Sequence, residues 1–446
     1  MRSELRIAAL LSLAGWFACA TITAQQSAPY RLTLQDAIQK ALQANLSVLV
    51  AGSKVDEAEG TRLRRLSAAL LPRVNAQVYA NVQNRDLRAF GISLPGMPEV
   101  VGPFSNYDFR IYAQQNVVDL ASYRALKASE LAVDSGKLDE RDARDLIVRA
   151  VAALYLNAQS AWARAESAQA RVTDSTALYK LAKDKHDAGT ATGVDVLRAQ
   201  VQLANDKQAL LIAVNQHKQS LLELARNLGM NPATSLELAE PLDYRPLKRP
   251  EMETLAPAAL LERADYLSLS SQRAGLREQL SANHARALPK LSTNGNFGEI
   301  GRSVGGVKST GLIQGQIDFT LFDRDRNGEA QELASRLRRI DDQVADLRRG
   351  IDEELREAML NLDSAAEQVA VARDGQELAR RELQMAQDRF EQGTANNVEV
   401  ITAQDELARA EENYIVAVVS HVDAKCALAR AMGDTEKNIA EFMGNH

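Results

Sequence analysis

The side chains with the most evident chemistry are two carboxylates that the sequence places in matching surroundings. Asp195 and Glu399 each lie six residues after the glycine of a Gly-Thr pair, in a Gly-Thr…Val-(Asp/Glu)-Val pattern that occurs twice. A carboxylate at this distance from a turn falls in the first turn of the following helix, where it stabilises the positive end of the helix dipole. The residues alone therefore favour a helix-stabilising role for both acids.

Other reactive residues do not form a catalytic pattern. The stretch 301–305 reads Gly-Arg-Ser-Val-Gly and matches the Gly-x-Ser-x-Gly nucleophile motif, which requires a strand before it and a helix after it. Here it lies between two predicted strands, so we expect a hairpin tip. The five histidines lack metal-binding spacing, and no phosphate-binding Gly-x-x-x-x-Gly-Lys motif occurs. We therefore expect no enzyme, no metal site and no cofactor, with energy supplied by a partner.

The duplication extends well beyond the two acids. The stretches 189–200 and 393–404 are offset by 204 residues, and 11 of 23 positions are identical between 182–204 and 386–408. A repeat of this length indicates a duplicated structural unit rather than a solenoid. Because each copy is a Gly-Thr turn between two long segments with apolar periodicity, we expect two helical hairpins.

The N-terminus has the features of a secretory signal peptide. Basic residues precede an apolar run over 7–20, and small residues at its end predict cleavage after Ala20 or Ala24. The apolar run is too short to span a bilayer. The large residues before Cys19 match a lipoprotein signal poorly.

Composition and charge narrow the class of protein further. The net charge of −6 arises from acids and bases that are mixed along the chain, which argues against a nucleic-acid partner. Cys426 is the only cysteine besides Cys19, so an exported chain would contain no internal disulfide. Cys426 lies in an Ala-rich helical register and is expected to be a packing residue.

Two proline-free tracts predict long helices. All 11 prolines lie within 29–103 and 232–289, and the remaining tracts are rich in Ala, Leu, Glu, Gln and Arg. The second tract contains apolar residues in alternating steps of four and three, as in a coiled coil: Leu333, Leu337, Ile340, Val344, Leu347 and Ile351. Helices over about 123–188 and 326–392 would each be roughly 100 Å long, which is longer than a globular core is wide.

Four short segments alternate polar and apolar residues, which predicts strands with one polar and one apolar face. They cover 73–83, 107–114, 290–300 and 313–321, and the third alternates least clearly. Turn-rich loops join them in pairs, so we expect two β-hairpins that continue into helices at both ends. A length of about 10 residues suits a tilted strand that crosses a membrane.

These hairpins could form a small water-soluble sheet or enter a membrane. We favour the membrane because no predicted helix is left to cover the sheet. Aromatic residues also occur near the expected strand ends, where an interfacial girdle would lie: Tyr79, Phe104, Tyr107 and Phe109. An open sheet edge cannot face lipid, because its N–H and C=O groups would be unpaired. Since four strands are too few to close a barrel, several chains must contribute, and geometry permits two, three or four copies.

With these features, the chain resembles the TolC-type outer-membrane efflux proteins over its whole mature length. The motifs that carry the resemblance are Leu-Thr-Leu-Gln-Asp-Ala-Ile at 32–38, Leu-Leu-Pro at 70–72, Val-Val-Asp at 117–119, Arg-Ala-Asp at 263–265 and Leu-Phe-Asp at 321–323. The motif at 263–265 is similar to an Arg-Pro-Asp signature, with Ala264 in place of the proline. Any one motif is weak evidence, but five in order on a duplicated plan are specific.

The resemblance implies a mainly α-helical chain that contributes four strands to a 12-stranded membrane β-barrel of a homotrimer. Its coiled-coil helical hairpins would form a periplasmic tunnel. The resemblance also implies an exit duct in the outer membrane, for a tripartite efflux pump or a type I secretion system, joined to a periplasmic adaptor and an inner-membrane transporter. The expected divisions are a signal peptide (1–24), a first repeat (25–230, with β-hairpin 72–118 and helical hairpin 120–230), an irregular equatorial linker (231–256), a second repeat (257–434, with β-hairpin 289–322 and helical hairpin 324–434) and a C-terminal tail (435–446).

The resemblance places the two Gly-Thr turns at the periplasmic tips. Asp195 and Glu399 would then line a constriction, where rings of carboxylates repel one another and favour cations. Thr402 and Ala395 replace an acid and an arginine of some relatives, so the constriction is expected to be weaker or differently tied. The tip residues expected to contact the adaptor are Gly189, Thr190, Val194, Val196, Gly393, Thr394, Val398 and Val400.

A protein of a different class would share many of these features. A periplasmic coiled-coil protein, structural or adaptor-like, would have the same signal peptide and long helices but no strands that face lipid. Fractionation distinguishes the two, because a channel would be a detergent-requiring oligomer in the outer membrane. The glycines and threonines of the tips are likewise explained by turn chemistry alone, with glycine for positive φ and threonine for a cap.

Overall fold

The computed structural model describes residues 30–93, 95–247, 250–433 and 435–443. The helices are α1 (Leu34–Ala44), α2 (Leu46–Leu70), α3 (Leu120–Asp187), α4 (Gly193–Asn227), α5 (Met252–Glu262), α6 (Ala264–Ala285), α7 (Arg324–Glu391), α8 (Asn397–Met432) and α9 (Thr435–Met443). The strands are β1 (Tyr30–Leu32), β2 (Arg73–Asp86), β3 (Val100–Val118), β4 (Leu236–Leu238), β5 (Lys290–Gly301) and β6 (Val307–Asp318).

The two longest helices are equal in length and begin at equivalent residues of the duplication. Helices α3 and α7 each contain 68 residues, so each is about 100 Å long at the rise of an α-helix. Asp119 is the N-cap of α3 and accepts a hydrogen bond from the backbone N–H of Ser122. Asp323, 204 residues later, caps α7 through the N–H of Arg326 in the same way. The predicted long helices are confirmed.

Each long helix folds back on a shorter one. Helix α4 packs on α3, and helix α8 packs on α7 and also on α3. Near the tips, alanines from four helices alternate with larger apolar side chains, which lets the helix axes approach closely. This tip core contains Leu178, Ala182, Ala199, Leu383, Ala386, Phe390, Val400 and Ala403. The two helical hairpins are therefore packed together at their ends.

Strands and helices form one continuous ribbon. The strands β2, β3, β5 and β6 form an antiparallel sheet in that order. The helices that lead into or out of them pack side by side in the matching order α2, α3, α6, α7. The ribbon is thus four elements wide from the sheet into the helices. Its two edges are formed by β2 with α2 and by β6 with α7.

The sheet leaves its apolar face bare. Direct cross-strand partners share a face, and the register aligns Ala76, Ile111 and Phe297 across three strands. On this face, the exposed fraction is 70% for Phe297 and 89% for Ile313. The opposite face carries amides and charged groups, including the buried Asp108. A water-soluble sheet buries its apolar face, so the observed arrangement suits lipid on one side and water on the other.

A core at the equator ties strand β1, the middle of the chain and helix α9 together. Strand β1 pairs in parallel with β4, and the buried Tyr155 hydroxyl donates a hydrogen bond to the Leu32 carbonyl at 3.1 Å. The buried Lys425 ammonium donates to the carbonyls of Arg245 and Phe442. The Lys425 ammonium on α8 thereby holds two elements against the long helices. One is helix α9, and the other is the segment that follows β4.

One expectation about the connecting segments is corrected by the structure, and the tail gains a description. The linker 231–256, expected to be irregular, contains β4, because Leu236 and Leu238 are buried beside β1. The tail 435–446 contains helix α9, whose Ile439 is buried in the equatorial core. Ala264, which stands where the family signature has proline, is the first residue of α6, a position that accepts proline in any helix.

The strand ends also differ from the predicted ones. Strand β3 begins at Val100 instead of 107, because the residues on both sides of Gly102 and Pro103 pair with β2 across a shift in register. The fourth strand ends at Asp318 instead of 321. Three aromatic residues expected near strand ends consequently lie in strand interiors, and that expectation is wrong for them: Tyr79, Tyr107 and Phe109.

Two further features concern the membrane and the N-terminus. The predicted signal peptide, with Cys19 and both candidate cleavage positions, lies outside the described residues. Among the helices that the structure describes, none combines the length and the apolar character that a membrane span requires.

Candidate functional site

The candidate site is the pair of tips at the far ends of the helical hairpins, and the first tip joins α3 to α4. Gly189 has a φ of +74°, a left-handed conformation that glycine adopts without strain. Thr190 donates two hydrogen bonds to the Lys185 carbonyl, from its backbone N–H at 2.8 Å and from its Oγ1 at 3.0 Å. These bonds satisfy a carbonyl at the end of α3 and fix the turn.

Asp195 closes a capping box at the start of α4. Its carboxylate accepts hydrogen bonds from the N–H of Thr192 at 3.0 Å and from the Thr192 hydroxyl at 2.6 Å. The side chain is 16% exposed, and Arg198 lies 3.8 Å away. Hydrogen bonds from Thr192 hold the pKa of Asp195 below its ordinary value despite the opposing effect of burial. Asp195 is therefore ionised at neutral pH and directed at its own helix cap.

The second tip repeats the turn but uses its acid differently. Gly393 also has a φ of +74°, and Thr394 donates two hydrogen bonds to the Arg389 carbonyl, at 3.0 and 3.1 Å. The side chain of Asn396 caps α8. Glu399 is consequently not needed for the cap, and its carboxylate forms an exposed ion pair with the Arg389 guanidinium at 3.2 Å. The two acids that the duplication aligns have therefore diverged in their partners.

Side chains from each tip bind the backbone of the other. The Lys185 ammonium donates to the carbonyl oxygens of Phe390 at 2.7 Å and Glu391 at 3.0 Å, at the C-terminus of α7. It also lies 5.0 Å from the centroid of the Phe390 ring. The buried Asn397 amide donates to the Asp195 carbonyl at 2.7 Å. We call these two contacts, from Lys185 and from Asn397, the tip ties.

An apolar groove lies beside the tip ties. Its volume is about 430 Å³, and α4 and α8 form it, with a lining of Val194, Leu197, Arg198, Val201, Gln202, Val398 and Ile401. Val194 and Val398, two of the predicted tip residues, are exposed there. Val196 is half-buried. Val400 is 0% exposed and belongs to the tip core, so its expected surface role is corrected: its side chain supports the tip from inside.

Sequence reasoning missed the residues that hold the tips together. Lys185 and Arg389 are equivalent in the duplication, but each lies in the last turn of a long helix. Basic residues are common there because they interact favourably with the helix dipole. Asn397 follows another asparagine that acts as the cap. Nothing in these patterns distinguishes a tie between hairpins from local helix chemistry.

The stretch 301–305, with its Gly-x-Ser-x-Gly pattern, lies where the hairpin prediction put it. Strand β5 ends at Gly301 and β6 begins at Val307, with a short 3-10 turn between them. The motif therefore has a strand on each side. Among the described residues, no group of three or more His, Cys, Asp and Glu side chains is arranged to hold a metal ion.

Comparison with known proteins gives one consistent result. A family model described as "Outer membrane efflux protein" matches residues 37–230 and 255–434. The chain is similar to the pyoverdine export outer membrane protein OpmQ of Pseudomonas aeruginosa, with 23% identity over 420 residues that cover 90% of this chain and 85% of that protein. Its fold is similar to that of the outer-membrane channel OprN, with a TM-score of 0.74, 19% identity and coverage of 90% and 89%. The fold is also similar to that of the outer membrane protein VceC of Vibrio cholerae, with a TM-score of 0.76 and 17% identity; the match covers 90% of this chain and 96% of that one.

Proposed function

The chain belongs to the outer membrane efflux protein family, and on that premise we propose that three copies form one exit duct from a periplasmic pump complex. The observation that carries this proposal is the open ribbon. Its sheet has a bare apolar face, and its edge strands β2 and β6 have no further partner strand among the described residues. Unpaired edges cannot face lipid. Three ribbons joined edge to edge would supply 12 strands, which is within the range of closed membrane barrels.

The helical edges support the same assembly. Exposed apolar side chains on α7 recur at a spacing of seven residues, at Leu378 and Met385, and α4 exposes Leu211 and Ile212. A sevenfold spacing is typical of a coiled-coil seam. Because α4 and α7 lie at opposite edges of the two packed hairpins, we infer that α4 of one copy packs against α7 of the next.

We propose that the tips form a constriction that the tip ties hold closed. Three copies of Glu399, exposed and outside its helix cap but each paired with Arg389, would present carboxylates around the axis and favour cations weakly. The Asp195 carboxylate is engaged with Thr192, so its contribution to the ring would be smaller. Engagement of a partner would open the end by replacing the hydrogen bonds that Lys185 and Asn397 make between the hairpins.

The partner at the tips is proposed to be a periplasmic adaptor, which links the duct to an inner-membrane transporter. The groove beside Val194 and Val398 offers an apolar surface of the kind that receives an amphipathic helix. Gly189, Thr190, Gly393 and Thr394 would contribute by fixing the shape of the two turns that border it. Two relatives in the family are named for pyoverdine export and for toluene efflux.

Fractionation of cells that produce the protein tests the proposal. We expect an oligomer in the outer membrane that requires detergent for extraction and whose mobility on electrophoresis changes with heating. A folded chain in the soluble periplasmic fraction would instead support the periplasmic coiled-coil protein. That alternative leaves the bare apolar sheet face without an explanation.

The docking proposal has a separate test at Val194. Val194→Asp puts a charge into the groove and should abolish pump-dependent resistance while trimers remain in the outer membrane. The conservative variant Val194→Ile keeps the groove apolar and should retain resistance. Full resistance with the aspartate would show that the groove does not receive the adaptor.

A further inference from the structure

The polar face of the sheet contains a cleft that the proposed function does not use. It has a volume of about 300 Å³. Its polar lining includes Arg73, Asn75, Tyr112, Gln114, Asn294 and Asn296. Arg73 begins β2 and is paired with Gln114 in the register, so it lies at the end of the sheet next to the helices. With Gln314, five primary amides, one guanidinium and one phenol ring therefore share a single surface.

Positive charges outnumber negative charges on this face of the sheet. Two ion pairs neutralise four of them: Arg110 donates to Asp108, with Nε 2.6 Å from Oδ1, and Lys290 lies 3.8 Å from Asp318. The side chain of Arg73 has no ion pair or hydrogen bond to any residue in the described part of the chain. The cleft consequently has an unneutralised positive charge and no carboxylate in its lining.

We propose that this cleft is a transit subsite for organic anions. The Arg73 guanidinium would pair with a carboxylate or sulfonate, the amides would donate further hydrogen bonds, and Tyr112 would contact an apolar ring. The inference rests on the proposed function, because the polar face lines a water-filled lumen only if three sheets close with their apolar faces outward. Three copies would then form a ring of arginines, an arrangement that favours anions in pores.

The subsite acts independently of the tips. Helices about 100 Å long separate the sheet from Glu399, whereas charges are screened over about 8 Å at physiological ionic strength. An anion-favouring ring at one end of the channel and carboxylates at the other are therefore compatible. The duct would select weakly by charge at two separate levels.

Thiol labelling from the outer side tests the subsite without requiring open tips. The reporter is Asn75→Cys, about 7 Å from Arg73 on the same face, and the native Cys426 is buried. Whole trimers in outer-membrane vesicles are labelled with a sulfonate-bearing and a trimethylammonium-bearing methanethiosulfonate. Arg73→Gln should lower the anion-to-cation rate ratio by roughly three- to tenfold, because it removes the nearest unit charge. A second reporter, Asn81→Cys, lies on the same face roughly 27 Å from Arg73 and should change by less than about twofold.

Binding is tested with benzenesulfonate as the probe. It should slow the labelling of Asn75→Cys by a neutral methanethiosulfonate when Arg73 is present, and it should lose this effect with Arg73→Gln. Three results would each overturn the subsite: an anion-to-cation labelling ratio that is the same with Arg73 and with Arg73→Gln, an equal change in that ratio at both reporters, or no protection by benzenesulfonate. An Asn75→Cys thiol that water-soluble reagents do not reach would instead contradict the orientation of the sheet, and with it the proposed function.

Discussion

The ammonium nitrogen of Lys185 lies 2.7 Å from the carbonyl oxygen of Phe390, so a side chain of the first hairpin caps the last turn of a helix in the second. The equivalent residue in the duplication, Arg389, forms an ion pair with Glu399 instead. The two halves of the chain have thus kept a basic residue at one position and given it different partners. Because of this divergence, the two similar tips are connected by the hydrogen bond from Lys185.

Removing the Lys185 tie should open the tips. Lys185→Ala leaves the terminal carbonyls of α7 without their charged donor, at a cost of about 1 kcal/mol for a partly exposed charge-assisted bond. We expect larger single-channel currents in planar bilayers and greater sensitivity of cells to large antibiotics. The matched control is Lys183→Ala, because Lys183 is exposed on the same turn. Equal currents in both variants would show that the tie does not hold the channel closed.

The two faces of the sheet should tolerate charge very differently. Val78 lies on the bare apolar face and Gln77 on the polar face of the same strand. Val78→Arg should cost about 2–4 kcal/mol near the bilayer midplane, whereas Gln77→Arg should remain in contact with water. We expect the first variant to be depleted of heat-modifiable oligomer in the outer membrane and the second to assemble normally. Similar assembly of both would contradict the orientation of the sheet.

Acid should weaken the equatorial core through His421. Burial, with a smaller contribution from the nearby Lys425, lowers the pKa of His421 from 6.5 to about 4. Because the unfolded chain binds the proton more readily, the stability is complete above pH 6.5 and is lost as the pH falls towards 4. The loss amounts to about 3 kcal/mol for a shift of this size. Thermal unfolding of the detergent-solubilised protein between pH 7.5 and 4 measures it.

The control for this effect is His217, which is equivalent to His421 in the duplication. His421→Leu should flatten the pH dependence, while His217→Leu should change it less, because His217 is only half-buried. Burial also lowers the pKa of His217, so its contribution has the same sign. A parallel pH dependence in the parent and the His421→Leu variant would exclude His421 as the cause.

Backbone conformation at the tips gives a further prediction. Gly393 has a φ of +74° and open space around its Cα, so a side chain there is strained without being crowded. Gly393→Val should cost about 1–2 kcal/mol, distort the turn and reduce pump-dependent resistance while trimers persist. Gly393→Asn should retain most activity, because asparagine tolerates the left-handed region. Equal resistance in both variants would show that the turn geometry does not matter for docking.

The long-range plan of the fold could be predicted from the sequence because it depends on regular periods. The proline-free tracts predict α3 and α7, and the alternation over 73–83 predicts a strand with the apolar face that the register shows. The start of β3 could not be predicted, since Gly102 and Pro103 are typical of a loop and the pairing of Val101 and Phe104 on either side of them with β2 is a tertiary effect.

The site was less predictable for a geometric reason. Val398 and Val400 are both apolar, and their spacing of two residues puts them on different sides of α8, one in the groove and one in the tip core. The sequence of α8 alone does not indicate which of its sides packs against the other hairpin, because that hairpin is 204 residues away in the chain. The ties from Lys185 and Asn397 depend on the same packing and were missed for the same reason.

Native mass spectrometry of the protein extracted from the outer membrane tests the central claim most directly. If each chain supplies only a four-stranded part of the channel, the folded species contains three chains and requires detergent. A single folded chain that stays soluble without detergent, with β2 and β6 paired to each other or covered within one molecule, would contradict the account.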